Sequence, residues 1–404
     1  MTRFFQKYVE FIRQPDVAPL LIVALLTRMP VGMIGFAMLM FLREALGSFA
    51  LAGSAVGVCF VALAATAPIQ GRLIDLYGPR RVLMVTCVAQ PLALAAVLAA
   101  AKLAMPYAVI ATCAAFAGIF APPVTTLTRT LWRQRFQREE DRRTAFALDA
   151  VAIEFNFTLG PVIIAALLAT AGATTAFAVT IAVVIASMIV FIASPAMGYF
   201  KREIGAQRHL LGPLTEPRLW LVFLTTFGLA TCFGLLEVCY PAYATAMAMP
   251  AIGGVLLAVN AIGSGIGGAL YGGIAFKAPV ERQLACALGL MVAPLLLHAA
   301  LIDQPIPFTV MAFLAGALIA PSIAAQSVLV SRLAPPQYAT EAFTWSSTFI
   351  VCGLGAGIAF GGALVETVGL RYAFVVGGCI VAAMALMALT IPAGTARTQP
   401  SVAD

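Results

Sequence analysis

Apolar residues in this chain fall in long unbroken runs, not in the alternation of a half-buried strand or the stripe of a surface helix. Twelve such runs of about 20 residues recur, each long enough to cross a hydrocarbon layer of about 30 Å as a helix. Lipid offers no water to an open backbone, so each run is expected to satisfy its hydrogen bonds internally. The expected spans are 17–41, 49–71, 80–101, 106–128, 144–168 and 176–199, then 219–243, 251–275, 283–301, 307–330, 341–364 and 372–392. The longest polar interval between spans divides them six and six. The expected fold class is an all-α membrane protein of twelve transmembrane helices in two pseudo-symmetric six-helix bundles, 17–199 and 219–392, joined by a central loop at 200–218. A short interfacial helix is expected at 1–16, where Phe4, Phe5, Tyr8, Phe11 and Ile12 gather near one face, and an unstructured tail at 393–404.

The two bundles repeat each other. Thr144–Ala145–Phe146 aligns with Glu341–Ala342–Phe343, Leu159–Gly160–Pro161 with Ala356–Gly357–Ile358, and Ala176–Phe177 with Ala373–Phe374, all at an offset of 197 residues. Thr27 and Gly35 align with Thr226 and Gly234, and Ala121–Pro122 with Ala320–Pro321, at an offset of 199. Parallel repeats related by an axis along the membrane normal place a solute path between the halves, near the midplane.

Of 404 residues, 62% are hydrophobic and only 10% charged, which excludes a water-soluble domain. A net charge of +7 would suit nucleic acid if it were clustered, but it is spread over loops. All but four of the 24 lysines and arginines fall on the N-terminal side of the implied topology. The other side holds only Arg43, Lys102 and Arg371, and Arg28 lies within a span. That asymmetry predicts a multi-pass cell-membrane protein (inner membrane, if the source is Gram-negative) with both termini cytoplasmic. The eight cysteines are scattered singly through apolar spans, and His209 and His298 are far apart, so neither a metal nor a cofactor is expected. No nucleophile–base spacing and no phosphate-binding loop is present, so neither an enzyme nor ATP drive is expected.

The loop between spans two and three reads GRLIDLYGPRR, residues 71–81. Here the chain resembles the major facilitator superfamily, whose signature in this loop is G-x-L-a-D-r-x-G-r-r. Gly71, Leu73, Asp75, Gly78 and Arg80 fit it, and Pro79 stands where a basic residue is usual. Gly71 would allow close helix approach, Gly78 a tight turn, and Asp75 could accept from N–H groups at a helix start. The resemblance implies that this loop docks on span eleven as a latch. That span opens near Glu341, and Arg129 and Arg133 are expected to offset the extra charge. Gly160–Pro161 resembles the helix-bending step of the drug/proton antiporter motif, with Asn156 replacing the first glycine and Ile164–Ala165 the closing pair. Antiporters of this kind carry an acid in span one and an arginine in span four. This chain has Arg28 and Ala114 there instead, so that coupling circuit does not carry over.

Four ionisable groups lie inside spans: Arg28, Asp149, Glu154 and Glu237. Counted from the expected span starts at 1.5 Å per residue, Arg28 is about 17 Å deep, Glu154 about 15 Å, Glu237 about 27 Å and Asp149 about 8 Å. Arg28 is therefore expected to pair with Glu154, as a proton site or a permanent salt bridge. Asp149 shares a small-residue face with Asn156 and Gly160, and is expected to be structural, paired with an arginine near the cytoplasmic mouth. Glu237 has no cation at its depth and is the leading candidate to carry a proton or meet a cationic solute. Thr27, Tyr240, Asn260, Gln326 and Trp345 are expected to line the cavity, and His298 to be structural. The function these features imply is a secondary transporter that moves a small organic solute by alternating access, as a monomer in the bilayer, with protons driving export. Uptake or exchange of an organic anion anchored by Arg28 is the alternative, and a transport-dead sensor on the same fold is a third reading.

Overall fold

The computed structural model describes residues 11–136, 138–194, 212–274, 276–335 and 338–391. The interfacial helix, central loop and tail expected at the ends and middle of the chain lie wholly or mostly outside the described residues. So do the side chains of Asp75, Arg129, Arg133 and Glu154, although their backbone is helical.

The first half contains α1 (Val17–Leu46), α2 (Phe49–Tyr77), α3 (Pro79–Lys102), α4 (Tyr107–Ile119), α5 (Val124–Arg135) and α6 (Glu139–Ala193). The second contains α7 (Pro217–Ala246), α8 (Ala251–Gly273), α9 (Val280–Ala300), α10 (Pro305–Gly316), α11 (Ile319–Leu333), α12 (Ala339–Thr367) and α13 (Leu370–Leu389). No strand occurs among the described residues. Ten helical segments are long and apolar enough to cross a membrane, one of them the 43-residue stretch Val151–Ala193. That stretch is two crossings: α6 leaves helical angles at Gly172 (φ 81°, ψ 170°), and Ala145 and Phe191 share one apolar cluster with Val17 and Leu20. The chain therefore turns back at Gly172, a backbone conformation that glycine adopts at no steric cost. With the short α4 beginning the fourth crossing, twelve crossings result.

Spans four and ten are broken, which the apolar pattern did not reveal. Consecutive Pro122 and Pro123 remove two N–H donors, so α4 ends and α5 restarts at Val124. The Ile119 carbonyl freed at this break accepts from the Gln70 amide at 2.7 Å and the Thr66 hydroxyl at 3.4 Å. The corresponding span of the second half breaks between α10 and α11, next to Pro321, the repeat partner of Pro122.

Packing repeats as well. A Cβ on Gly160 would lie 2.6 Å from the Gly32 carbonyl oxygen, and one on Gly357 would strike the Thr231 carbonyl oxygen. Span five thus seats on span one as span eleven seats on span seven. Likewise Gly118 abuts the Cys59 carbonyl and Gly316 the Asn260 carbonyl. Small residues let backbones approach where lipid supplies no hydrophobic drive between helices.

Call the face bearing the start of α1 the terminal face. The described glycines make their close approaches between halves towards the other, opposite face. Gly53 meets the Ile358 carbonyl at 2.7 Å, Gly57 the Gly355 carbonyl at 2.6 Å, and Gly254 the Pro161 carbonyl at 2.5 Å, each measured from a Cβ placed on the glycine. Ser48 also donates to Glu366 Oε2 across the halves at 2.9 Å. Towards the terminal face the same four helices expose apolar side chains, among them Ile69, Leu76, Val151, Leu270 and Phe343. The close contacts between the halves among the described residues thus gather towards the opposite face.

Candidate functional site

The buried charge in the first half is built on three helices. Arg28 of α1 donates through Nη1 to Asp149 Oδ1 at 2.5 Å and through Nη2 to Oδ2 at 3.1 Å, a two-pronged ion pair with both side chains only 2% exposed. Trp132 of α5 donates its indole N–H to the same Oδ1 at 2.9 Å, and Arg28 Nη2 also reaches the Thr125 carbonyl at 3.5 Å. Two opposite charges out of water cancel only with such geometry, and here the carboxylate takes three donors. Among the described residues the Arg28 Nε–H has no partner.

This corrects the expected pairing of Arg28 with Glu154. The error lies in where span five begins. The run Glu139–Arg143 is polar and reads as loop, yet it is the first turn of α6. Counted from Glu139, Asp149 is ten residues or about 15 Å deep, close to the level of Arg28 at eleven residues or about 17 Å. The small-residue face assigned to Asp149 does pack on α1. The Asn156 amide donates to the Leu25 carbonyl at 3.1 Å, and a Cβ on Gly32 would strike the Asn156 carbonyl. Asp149 therefore has an arginine partner, but in the middle of span one and not at the cytoplasmic mouth.

Glu237 stands apart from that pair. It projects from α7 across the junction of the halves, its Oε2 3.3 Å from a Cβ placed on Gly35 of α1, with the Phe60 ring 3.4 Å from the same point. Its carboxylate has no hydrogen-bond or ion-pair partner among the described residues. It is partly exposed, not sealed. An unpaired carboxylate at such depth is a costly feature, and it lies where the halves touch.

The expected cavity lining is mostly buried inside the bundles in this conformation. Thr27 donates to the Val23 carbonyl at 2.7 Å and Asn260 to the Ala312 carbonyl at 2.9 Å; both are sealed from solvent. Tyr240 is enclosed with His298, Phe308 and Phe374. Gln326 is also buried, with neither amide atom bonded among the described residues. Trp345 alone of the five is partly open, beside Phe349. Helix-packing contacts explain this outcome: a polar residue near the midplane can satisfy its own bundle as readily as face the gap. His298, expected to be structural, is buried with its Nδ1 on the Pro294 carbonyl at 2.7 Å and its ring stacked on Phe374 at 4.7 Å.

In the loop of the signature, Gly78 has φ 82° and makes the turn between α2 and α3. Gly71 does not serve close helix approach, because a Cβ there would meet nothing within 4 Å. Arg80 is exposed, while the side chains of Asp75 and Arg129 fall outside the described residues. At the motif step, α6 runs helically through Pro161, and Gly160 acts through contact with Gly32. The described residues contain no cluster of histidine, cysteine or carboxylate able to hold a metal ion. One pocket of about 120 Å³ opens on the opposite face, lined by Met40, Arg43, Glu44, Gly172 and Thr245 among others; it holds none of the expected site residues.

Comparison with known proteins agrees with the architecture. No curated protein matches the sequence. Among solved structures, a mutant of the nucleoside transporter NupG superposes with a TM-score of 0.70 at 12% identity, covering 93% of this chain and 99% of that one. A bacterial homologue of the iron transporter ferroportin, in an inward-facing state, superposes with a TM-score of 0.73 at 15% identity, covering 92% and 97%. At these identities the likeness is one of fold. The sequence profile of the Major Facilitator Superfamily matches residues 20–301. Repeated six-span halves, a glycine turn between spans two and three, and this match across most of the chain make the protein a member of the major facilitator superfamily, a transporter of the membrane.

Proposed function

We propose that the protein is a proton-coupled secondary transporter that exports a small organic solute by alternating access, with Glu237 as the proton-carrying group. The observation that carries this reading is the place of Glu237: an unpaired carboxylate, partly exposed, against Gly35 at the contact between halves. Rocking one half against the other separates Gly35 from Glu237 and admits water. Closing them again removes that water, and a proton on the carboxylate lifts the cost of enclosing it. In this reading solute enters between the halves from the terminal face, which the distribution of basic residues supports as the cytoplasmic one. Its walls there are apolar, with Glu237 at the deep end, which suits an apolar or cationic organic solute. Export as the direction rests on the resemblance of Gly160–Pro161 to the antiporter step.

The alternative of an organic anion anchored by Arg28 has less support. Both terminal nitrogens of Arg28 are occupied by Asp149, and the side chain is only 2% exposed. The test is transport in inside-out vesicles under an imposed pH gradient, with ethidium as an organic cation and benzoate as an organic anion. Gradient-driven ethidium uptake lost in Glu237→Gln supports the proposal. Gradient-driven benzoate transport by the unaltered protein, retained in Glu237→Gln, would establish the anion reading in its place.

A further inference from the structure

The half-helix α5 is the least attached part of the fourth span. The proline pair cuts it from α4, and among the helices it packs appreciably only on α1 and on the first limb of α6. Its polar ties among the described residues include three to neighbouring segments. At its start the Thr125 carbonyl receives Arg28 Nη2 at 3.5 Å, near its end the Trp132 indole donates to Asp149 at 2.9 Å, and Arg135 reaches the Pro15 carbonyl at 3.5 Å. Two of the three converge on one ion pair. Beside them Leu127, Leu131, Trp132 and Phe136 join a small apolar cluster with Phe11, Val17 and Leu20, separate from the main core.

We infer that Arg28 and Asp149 are positioning residues: their ion pair is the clamp that seats α5 against α1 and α6, and so fixes the rim of the first half at the terminal face. The guanidinium fork suits the task because its planar N–H groups address a carboxylate and a backbone carbonyl at once, which an ammonium point charge does not. The second half lacks the device. Phe227 and Ser331 stand at the repeat positions of Arg28 and Trp132, and Ser346 at that of Asp149. The clamp thus belongs to one side of the mouth. It is independent of the role proposed for Glu237, which lies on another helix in the other half.

The chain's three tryptophans provide the readout. In a Trp220→Phe, Trp345→Phe background, Trp132 is the sole tryptophan, and iodide quenching of the purified protein in detergent reports how well α5 is seated. Replacing the pair by Arg28→Met with Asp149→Leu buries no lone charge, so the melting temperature is expected to stay near that of the background protein. Quenching is nevertheless expected to rise roughly threefold, because both ties are gone. Arg28→Lys keeps a cation beside Asp149 but loses the fork, and is expected to raise quenching by roughly twofold. It provides the second measurement should the double variant not fold. Trp132 as shielded as in the background protein, in either folded variant, overturns the inference and leaves the pair as two charges that merely neutralise each other.

Discussion

Glu237 and Gly35 meet across the junction of the two halves, Oε2 of the one lying 3.3 Å from where a Cβ on the other would sit. Aspects of sequence that look unrelated, a glycine in span one and an acid in span seven, are one contact in space. The missing side chain at Gly35 leaves room for the carboxylate while the opposite face is closed. The partner of Glu237 under the repeat is Met38, so the acid has no counterpart in the first half.

Filling that room should hinder closure. Gly35→Ala places a Cβ 3.3 Å from Glu237 Oε2 and 3.4 Å from the Phe60 ring, and is expected to slow transport without abolishing it. Gly35→Leu overfills the contact, with an expected destabilisation of about 1–3 kcal/mol and loss of transport. Transport rates of the two variants, measured beside their melting temperatures, check this.

Closure at the opposite face can be trapped. Ser48 and Glu366 are bonded across the halves at 2.9 Å, on the exposed turns that begin α2 and end α12. Cysteines at both positions, in a background without the native eight, should be joined by a short methanethiosulfonate cross-linker. Transport should stop on cross-linking and return on reduction. A cross-linked protein that still transports would show that this contact does not open during the cycle.

Breaking the buried ion pair on one side should be costly. Arg28→Ala leaves Asp149 charged and enclosed, with only the Trp132 indole as donor, and is expected to destabilise the protein by about 3–5 kcal/mol. Asp149→Ala should cost a similar amount, because it strands the guanidinium. Denaturation midpoints in mild detergent, compared with the doubly apolar replacement, measure the asymmetry.

Equivalent positions in the repeat should respond alike. A Cβ at Gly118 would strike the Cys59 carbonyl and one at Gly316 the Asn260 carbonyl. Backbone cannot yield as a flexible side chain does, so Gly118→Val and Gly316→Val are each expected to cost more than about 1 kcal/mol. Gly71→Val and Gly289→Val, where nothing lies within 4 Å, should be nearly neutral by the same melting assay.

Twelve crossings, their division into halves and the pairing of small-residue faces were legible because they depend on apolar run length and on a constant offset. The Gly160 and Gly357 contacts came from the same alignment. What was not legible was where a helix continues into polar sequence. The charged turn Glu139–Arg143 looked like a loop, and that displacement of five residues moved Asp149 out of register with Arg28 and put Glu154 in its place. The break at Pro122–Pro123 carried a signal in the two missing donors, but an apolar window averages over it. Cavity lining was the least legible. Burial of Thr27, Asn260 and Gln326 depends on helix rotation, which composition does not encode.

The most direct test of the account is proton movement through purified protein in liposomes carrying an internal pH-sensitive dye, with ethidium added as the organic cation. The unaltered protein is expected to exchange protons for ethidium, and Glu237→Gln to abolish that exchange while melting at the same temperature. Undiminished proton-coupled ethidium transport in Glu237→Gln would contradict the central claim that Glu237 carries the proton.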